Sequence, residues 1–217
     1  MINVTVTSVC ARSAGEEMDV TFAVSDGAGN REQSRFTLSA RQLISLGVTK
    51  GEADTELYDR VSYASEVWSA TKKGMAFLGY GAKSEKAMRI KLVSKGFDRQ
   101  VAKEAVAELV AMGLIRAEND AAQMAKSLVS RGWGKKRIVA SLYEKGYSAE
   151  AVSFAVNALE DMDVDFSEKC RELIEKRYGR IPTDPAEQRK MYGALVRYGY
   201  SSSEIRQAIE KIKNETT

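Results

Sequence analysis

A chain of 217 residues with 33 Lys or Arg against 30 Asp or Glu and an apolar fraction of 44% is long enough to bury a real core, and its composition is that of a globular protein. It has no histidine and only two cysteines, Cys10 and Cys170, so zinc sites, histidine-based catalysis and a disulfide framework are poorly supported, and both thiols are expected to be lone and buried. No run approaches the roughly 18 apolar residues of a membrane span, and the start "MINVTVTSV" lacks the layout of a signal peptide, so a cytoplasmic protein with no membrane contact is expected.

From Ile2 to Val24 apolar residues alternate, first Ile2, Val4 and Val6, then Met18, Val20, Phe22 and Val24, with Ala14-Gly15 and Gly27-Ala28-Gly29-Asn30 as breaks. A period of two interrupted by turn residues predicts antiparallel strands. Phe36 and Leu38 predict a third short strand, after which Ser39 caps a brief helix that carries Leu43, Ile44 and Leu46 and ends at Gly47. Residues 1–54 are therefore expected to form a small β-rich domain, a meander with one helix. It is expected to be separable, because its strands need no partner from the rest and its charge has the opposite sign. Residues 1–60 hold six Lys or Arg against nine Asp or Glu, which leaves 27 against 21 for the remainder.

From about Thr55 the period turns helical, with Val61, Ala64, Val67, Trp68, Met75 and Leu78 on one long segment, and it stays helical to the end. The helical region writes the same sentence three times: "SEKAMRIKLVSKGFDRQVAKEAVAEL", "KKRIVASLYEKGYSAEAVSFAVNAL" and, more loosely, "EQRKMYGALVRYGYSSSEIRQAIEKI". The copies align on Gly96, Gly146 and Gly199, each followed by an aromatic, Phe97, Tyr147 or Tyr200. Upstream on one helix face stand Met88 and Leu92, Ile138 and Leu142, Met191 and Leu195; downstream stand Ala105, Val106 and Leu109, then Ala155, Val156 and Leu159, then Ala208, Ile209 and Ile212. The glycine supplies a left-handed helix end, and a cap follows at Asp98, Ser148 or Ser201. The aromatic then faces Ala102, Val152 or Ile205 in a hydrophobic staple. A further apolar-periodic segment precedes each pair, the second with Met124, Leu128 and Val129, the third with Phe166, Cys170, Leu173 and Ile174. Each repeat is thus three helices, at 55–117, 118–163 and 164–217, and stacking them predicts a mainly α, elongated and curved module. "RAEND" and "EDMDVD" separate the repeats, and "GRIPTDPAEQ" enlarges a loop of the third, with Asp184 as cap, Pro185 at the first helical position and Glu187 at the third.

Two places concentrate positive charge at the start of a middle helix. The second repeat has Arg131, Lys135, Lys136 and Arg137 around "RGWGKKR", and the first has Lys83, Lys86, Arg89 and Lys91. Backbone N–H groups at a helix start favour anions as well, so these cations are candidates for contact with a partner or with nucleic acid; a solvated helix face is the alternative. Lys135, Lys136 and Arg137 fan over roughly 200° of helix surface, and at least two must reach solvent or a partner; reversing all three is expected to leave the fold nearly unchanged. Trp133, between two glycines, either stacks on a base or partner surface or plugs the core, and Trp68 is open to the same two readings. Gly96, Gly146 and Gly199 are read as structural helix ends.

"GWGKKR" lacks the spacing of a phosphate-binding loop and follows no strand, and the carboxylates of "EDMDVD" lack the spacing of a calcium loop. No catalytic residue, cofactor or metal is assigned, and an enzyme is not expected.

The run "SEKAMRIKLVSKGFDRQVAKEAVAELVAMGLI", followed by "AAQMAKSLVSRGWGKKRIVASLYEKGY", resembles the RecX regulatory proteins, bacterial modulators of the RecA recombinase. The resemblance extends from about Thr71 to Ile212, and "RQLISLGVTKGEADTELYDRV" is similar to the N-terminal extension of longer members. Its elements are Met112-Gly113-Leu114-Ile115, the Arg-x-x-Gly approach to Lys-Arg-Ile, and the Leu-x-x-Lys-Gly-aromatic ending. Where the family has paired aspartates before a Phe-Ala helix start, this chain has "RAENDAAQMA", with Asn119-Asp120 expected to cap the next helix. The resemblance implies a monomeric, non-enzymatic regulator in DNA repair, recombination and the SOS response. It would lie in the groove of RecA filaments on single-stranded DNA, touch that DNA weakly and electrostatically, and inhibit ATP hydrolysis and strand exchange. Two rivals stay open: a nucleic-acid-binding helical module acting alone, and a protein-only helical scaffold.

Overall fold

The computed structural model describes residues 3–12, 16–26 and 30–215. Ile2 and the breaks expected at Ala14-Gly15 and Gly27-Ala28-Gly29 lie outside the described residues. The chain divides into two compact units, Met1–Gly81 with Met88–Leu114, and Ala82–Ala87 with Ile115–Thr217.

The first unit opens with three antiparallel strands, β1 (Asn3–Arg12), β2 (Glu17–Ser25) and β3 (Arg31–Ser39), then α1 (Ala40–Leu46). Ser39 caps α1 with a full capping box to Gln42, and Gly47 ends it at φ 65°, as the sequence predicts. β3 is nine residues long rather than short, because its first half, "REQSR", shows no apolar alternation; it pairs with β2 through the backbone ladder and one side-chain bond, from Arg35 to Asp19. A fourth strand, β4 (Gly51–Ala53), escapes sequence reading since three residues carry no period; it pairs with β1, giving the order β3-β2-β1-β4. The register sets Val6 opposite Phe22 and Val20 opposite Phe36. One face then collects Val4, Val6, Val20, Phe22 and Leu38.

That face packs on α2 (Thr55–Leu78), which corrects the expectation of a separable meander. Tyr58 on α2 stands edge-on to both Phe22 and Phe36, with ring centroids 5.2 and 5.3 Å away. Trp68 is buried and donates from Nε1 to Glu17, whose carboxylate also pairs with Lys72 at 2.7 Å; of its two readings, the core one holds. Each buried aromatic of this kind contributes about 1.5–3 kcal/mol, which is why the strands do not stand alone. Farther along, α2 meets α4 (Arg99–Ala111), and Leu109 of α4 and Met88 of α3 (Glu85–Val93) lie beside its Gly74; Met88, Leu92 and Leu109 are fully buried. Cys10 is exposed near the end of β1, not buried as expected, because its strand position faces away from α2.

The second unit holds α5 (Ala117–Ser130), α6 (Lys135–Glu144), α7 (Ala149–Glu160), α8 (Phe166–Tyr178), α9 (Pro185–Arg197) and α10 (Ser202–Glu215). Ile138, Leu142, Tyr147, Val152, Ala155 and Leu159 share one core with Leu128 and Val129; Cys170, Ile174, Met191, Leu195, Tyr200, Ile205 and Ala208 share another. Counted over the described residues of both units there are ten helices, and the protein is mainly α with a small N-terminal antiparallel sheet. α5 starts earlier than predicted. "AEND" is its first turn, Arg116 takes the capping position without its side chain capping the helix, and Asp120 reaches back from within the helix to accept the Arg116 N–H at 3.1 Å. "EDMDVD" is the expected connector, ending at Asp165, which caps α8.

Candidate partner and nucleic-acid interface

The three aligned glycines make the same turn. Gly96, Gly146 and Gly199 have φ of 94°, 82° and 97°. In each case the glycine N–H bonds the carbonyl three residues back and the aromatic N–H the carbonyl five back, as in Tyr147 to Leu142 at 3.1 Å and Tyr200 to Leu195 at 3.2 Å. This is a Schellman end, and it leaves the last carbonyls of the helix pointing outward.

Two of those ends are occupied within the second unit. The residues leading into α3 and its first turn, 82–87, sit on the end of α6: Ser84 Oγ donates to the Lys145 carbonyl at 2.6 Å and accepts from Ala87 N–H at 3.1 Å. One repeat on, the start of α6 sits on the end of α9. Gly134 N–H donates to the Tyr198 carbonyl at 2.8 Å, and Lys136 N–H to the Gly199 carbonyl at 3.2 Å. A Cβ on Gly134 would overlap the Gly199 carbonyl, and one on Gly199 would overlap Arg137. A Cβ on Gly146 would meet Lys86 Cβ at 3.0 Å, whereas one on Gly96 would meet nothing. Sequence reading gives the three glycines one role; the structure separates them, two being sites of close approach as well as turns.

This splice alters the basis for anion binding. The amides of Gly134 and Lys136 at the start of α6 already hold protein carbonyls, so those N–H groups are not open to an anion and only side-chain charge would attract one there. Among the side chains, Lys136 and Arg131 are exposed, and Lys135 pairs with Glu160 at 2.7 Å while keeping 41% of its surface. Lys86 is exposed, and Lys83 and Arg89 are half-buried on or beside α3.

Arg137 and Trp133 are brought together. Trp133 packs against the α5–α7 core, and the Arg137 guanidinium lies over its ring at 3.8 Å from the centroid. The same guanidinium approaches the Tyr198 ring at 5.4 Å, and Arg177 approaches that ring at 5.2 Å while donating to its hydroxyl at 2.7 Å. Neither Tyr198 nor Arg177 is picked out by sequence reading. A signal exists for Tyr198: it stands where the other two repeats carry Lys95 and Lys145. The Tyr200 hydroxyl completes the joint by donating to the Gly132 carbonyl at 2.9 Å.

No group of three or more Cys, Asp or Glu side chains is placed to hold a metal ion among the described residues, and no helix there is long and apolar enough to cross a membrane. What the arrangement offers is cations and exposed side chains on rigid helices, suited to binding. Burial pushes the Cys170 thiol up to about 12, so it is no nucleophile.

Comparison with known proteins agrees with this geometry. The family description "RecX, first three-helix domain" matches residues 70–109, and "RecX, third three-helix domain" matches residues 163–209. The chain is 33% identical over 126 residues to the regulatory protein RecX of Xanthomonas axonopodis pv. citri (strain 306), covering 58% of this chain and 76% of that one. It is 32% identical over 130 residues to the regulatory protein RecX of Stenotrophomonas maltophilia (strain R551-3), with the same coverage. Among solved structures, a crystal structure of regulatory protein RecX superposes with a TM-score of 0.74 at 19% identity, over 96% of this chain and 99% of that one. RecX from Lactobacillus salivarius superposes with a TM-score of 0.57 at 22% identity, over 69% and 98%. The fold, the two matched three-helix domains and the sequence identity together place this chain in the RecX family of regulatory proteins.

Proposed function

We propose that the protein is a non-enzymatic cytoplasmic regulator of the RecA recombinase, which binds the groove of RecA filaments on single-stranded DNA and inhibits ATP hydrolysis and strand exchange. Membership of the RecX family is the observation that carries this reading. Physical support comes from the three-helix repeats, at 55–117, 118–163 and 164–217, which suit an extended partner better than a compact ligand. Lys83, Lys86, Arg89, Arg131, Lys135 and Lys136 supply the weak electrostatic contact with DNA, favourable at low salt and fading as salt rises. Trp133 and Arg137 act from beneath them, by fixing the loop that carries Arg131 and the helix that carries Lys136.

The test is single-stranded-DNA-dependent ATP hydrolysis by RecA with and without the protein. The expected result is inhibition at stoichiometric amounts or less. No effect at severalfold excess would sink the reading, and tight binding to duplex DNA without RecA would favour a stand-alone nucleic-acid module.

A further inference from the structure

The middle helices share an outward face that the folding of the repeats does not require. On α6 it consists of Lys136, Ala140, Tyr143 and Glu144; on α9 the same register holds Arg189, Gly193, Val196 and Arg197. These positions lie opposite Ile138 and Leu142, and opposite Met191 and Leu195, all at most 1% exposed. Tyr143 is 50% exposed and Val196 48%. α3 carries the pattern a third time as Lys86, Ile90, Val93 and Ser94, with Ile90 61% exposed. Singly exposed apolar residues need no explanation, but large ones at one register in every repeat do. In stacked-repeat proteins the equivalent exposed positions are where partners bind.

Two features specify the occupant. The first position of the face, Lys86, Lys136 or Arg189, is basic in all three helices, whereas the last position varies through Ser94, Glu144 and Arg197, so the constant charge calls for a carboxylate at one end of the occupant. The apolar positions hold Val196, Val93 and Ile90 beside a single tyrosine, and aliphatic side chains give bases no stacking platform. The occupant is therefore protein. We propose that the outward faces of α6 and α9, Lys136–Ala140–Tyr143 and Arg189–Gly193–Val196, are equivalent docking strips for an apolar protein surface bearing a carboxylate, so that one chain engages successive identical subunits of a polymeric partner. The proposal rests on the filament reading and deepens it, since it assigns the protein contact to these faces, moves Lys136 from the DNA contact to the protein one, and leaves DNA to Lys83, Lys86, Arg89, Arg131 and Lys135.

The experiment uses the full chain with Tyr143→Asp and Val196→Asp together, beside Tyr143→Phe with Val196→Ile, in two assays. One measures binding to a naked oligothymidylate; the other measures co-sedimentation with RecA filaments formed on the same oligonucleotide. The aspartate pair is expected to bind the naked strand within about twofold of the unaltered protein and to lose at least about tenfold in affinity for filaments, while the conservative pair keeps both. If the aspartate pair co-sediments like the unaltered protein, the strips are overturned and the filament reading stands. Equal loss in both assays would assign the strips to nucleic acid, against the proposal. Should the unaltered protein itself fail to sediment with filaments, the filament reading fails and takes the strips with it. Thermal melting checks folding, and Tyr143→Ser with Val196→Ser replaces the aspartate pair if that pair does not fold.

Discussion

The guanidinium of Arg137 lies 3.8 Å from the centre of the Trp133 ring and 5.4 Å from that of Tyr198, so a side chain of the second repeat is held between an aromatic of its own repeat and one of the third. Arg137→Ala is expected to lower stability by about 1–2 kcal/mol through lost stacking and packing. Arg137→Lys should recover only a fraction of that, since an ammonium does not stack as a planar guanidinium does. Lys136→Glu should stay within about 0.5 kcal/mol. Urea denaturation of the three variants checks the order, and a neutral Arg137→Ala would refute the stack as a joint. Reversing Lys135, Lys136 and Arg137 together therefore does not separate binding from folding, and the single change at Lys136 does.

The glycine ends should rank by what lies beyond them. Gly96→Ala is expected to cost about 1 kcal/mol, for the left-handed conformation alone. Gly146→Ala adds crowding against Lys86, and Gly199→Ala adds overlap with Arg137, so their melting temperatures should fall progressively further. Three equal losses would mean that the helix ends do not bear on one another.

Removing residues 1–54 uncovers Tyr58, Val61 and Trp68, which the sheet and its Glu17 now cover or bond. A chain starting at Thr55 should keep its helical far-UV spectrum but melt earlier and less cooperatively, and should bind a hydrophobic dye. An unchanged melt would show that the sheet contributes nothing to α2.

Asp165 is held well below the usual carboxylate range, first by the ammonium of Lys211 and then by the Ser167 hydroxyl, with the backbone N–H groups of Ser167 and Glu168 also donating to it. Because the folded value is depressed, the stability it supplies is present above the unfolded value near 3.9 and drains away as pH falls below it. The advantage of the native protein over Asp165→Asn should be largest at pH 7 and reduced at pH 2.5, read from urea midpoints. Since the carboxylate is half exposed, solvent screening keeps the effect small. A difference that stays constant with pH would contradict the ion pair.

Most of the architecture is legible in the sequence because it depends on local rules: a period of two, then of 3.6, with glycines and capping residues marking each end. Ser39, Gly47, Asp98, Ser148, Asp184 and Ser201 all act where they are read. Three things needed the third dimension. The three-residue β4 is too short to show a period. The pairing of β3 with β2 runs mainly through backbone groups that every residue possesses, and the side chains that add to it, Arg35 and Thr37 on Asp19, are polar and carry no apolar period. Asp163 adopts φ 49° at the α7–α8 junction, where the preceding repeat uses Gly113, and nothing in its identity announces that. As for the candidate site, the cations could be found by their recurrence, but the partners that restrain them, Glu160 for Lys135 and Tyr198 for Arg137, come from other helices at separations no local pattern encodes.

The end-to-end seating of α6 on α9 gives the second unit a polarity. Carbonyls at one helix end are consumed by amides of the next, so the hydrogen-bond ladder of α9 runs on into α6 although the chain does not. Residues 118–163 contain both halves of this coupling, the Gly134 start and the Gly146 end. The segment is thus a cassette: a tandem duplicate of it would find a matching seat on each side, and it would fit in one direction only.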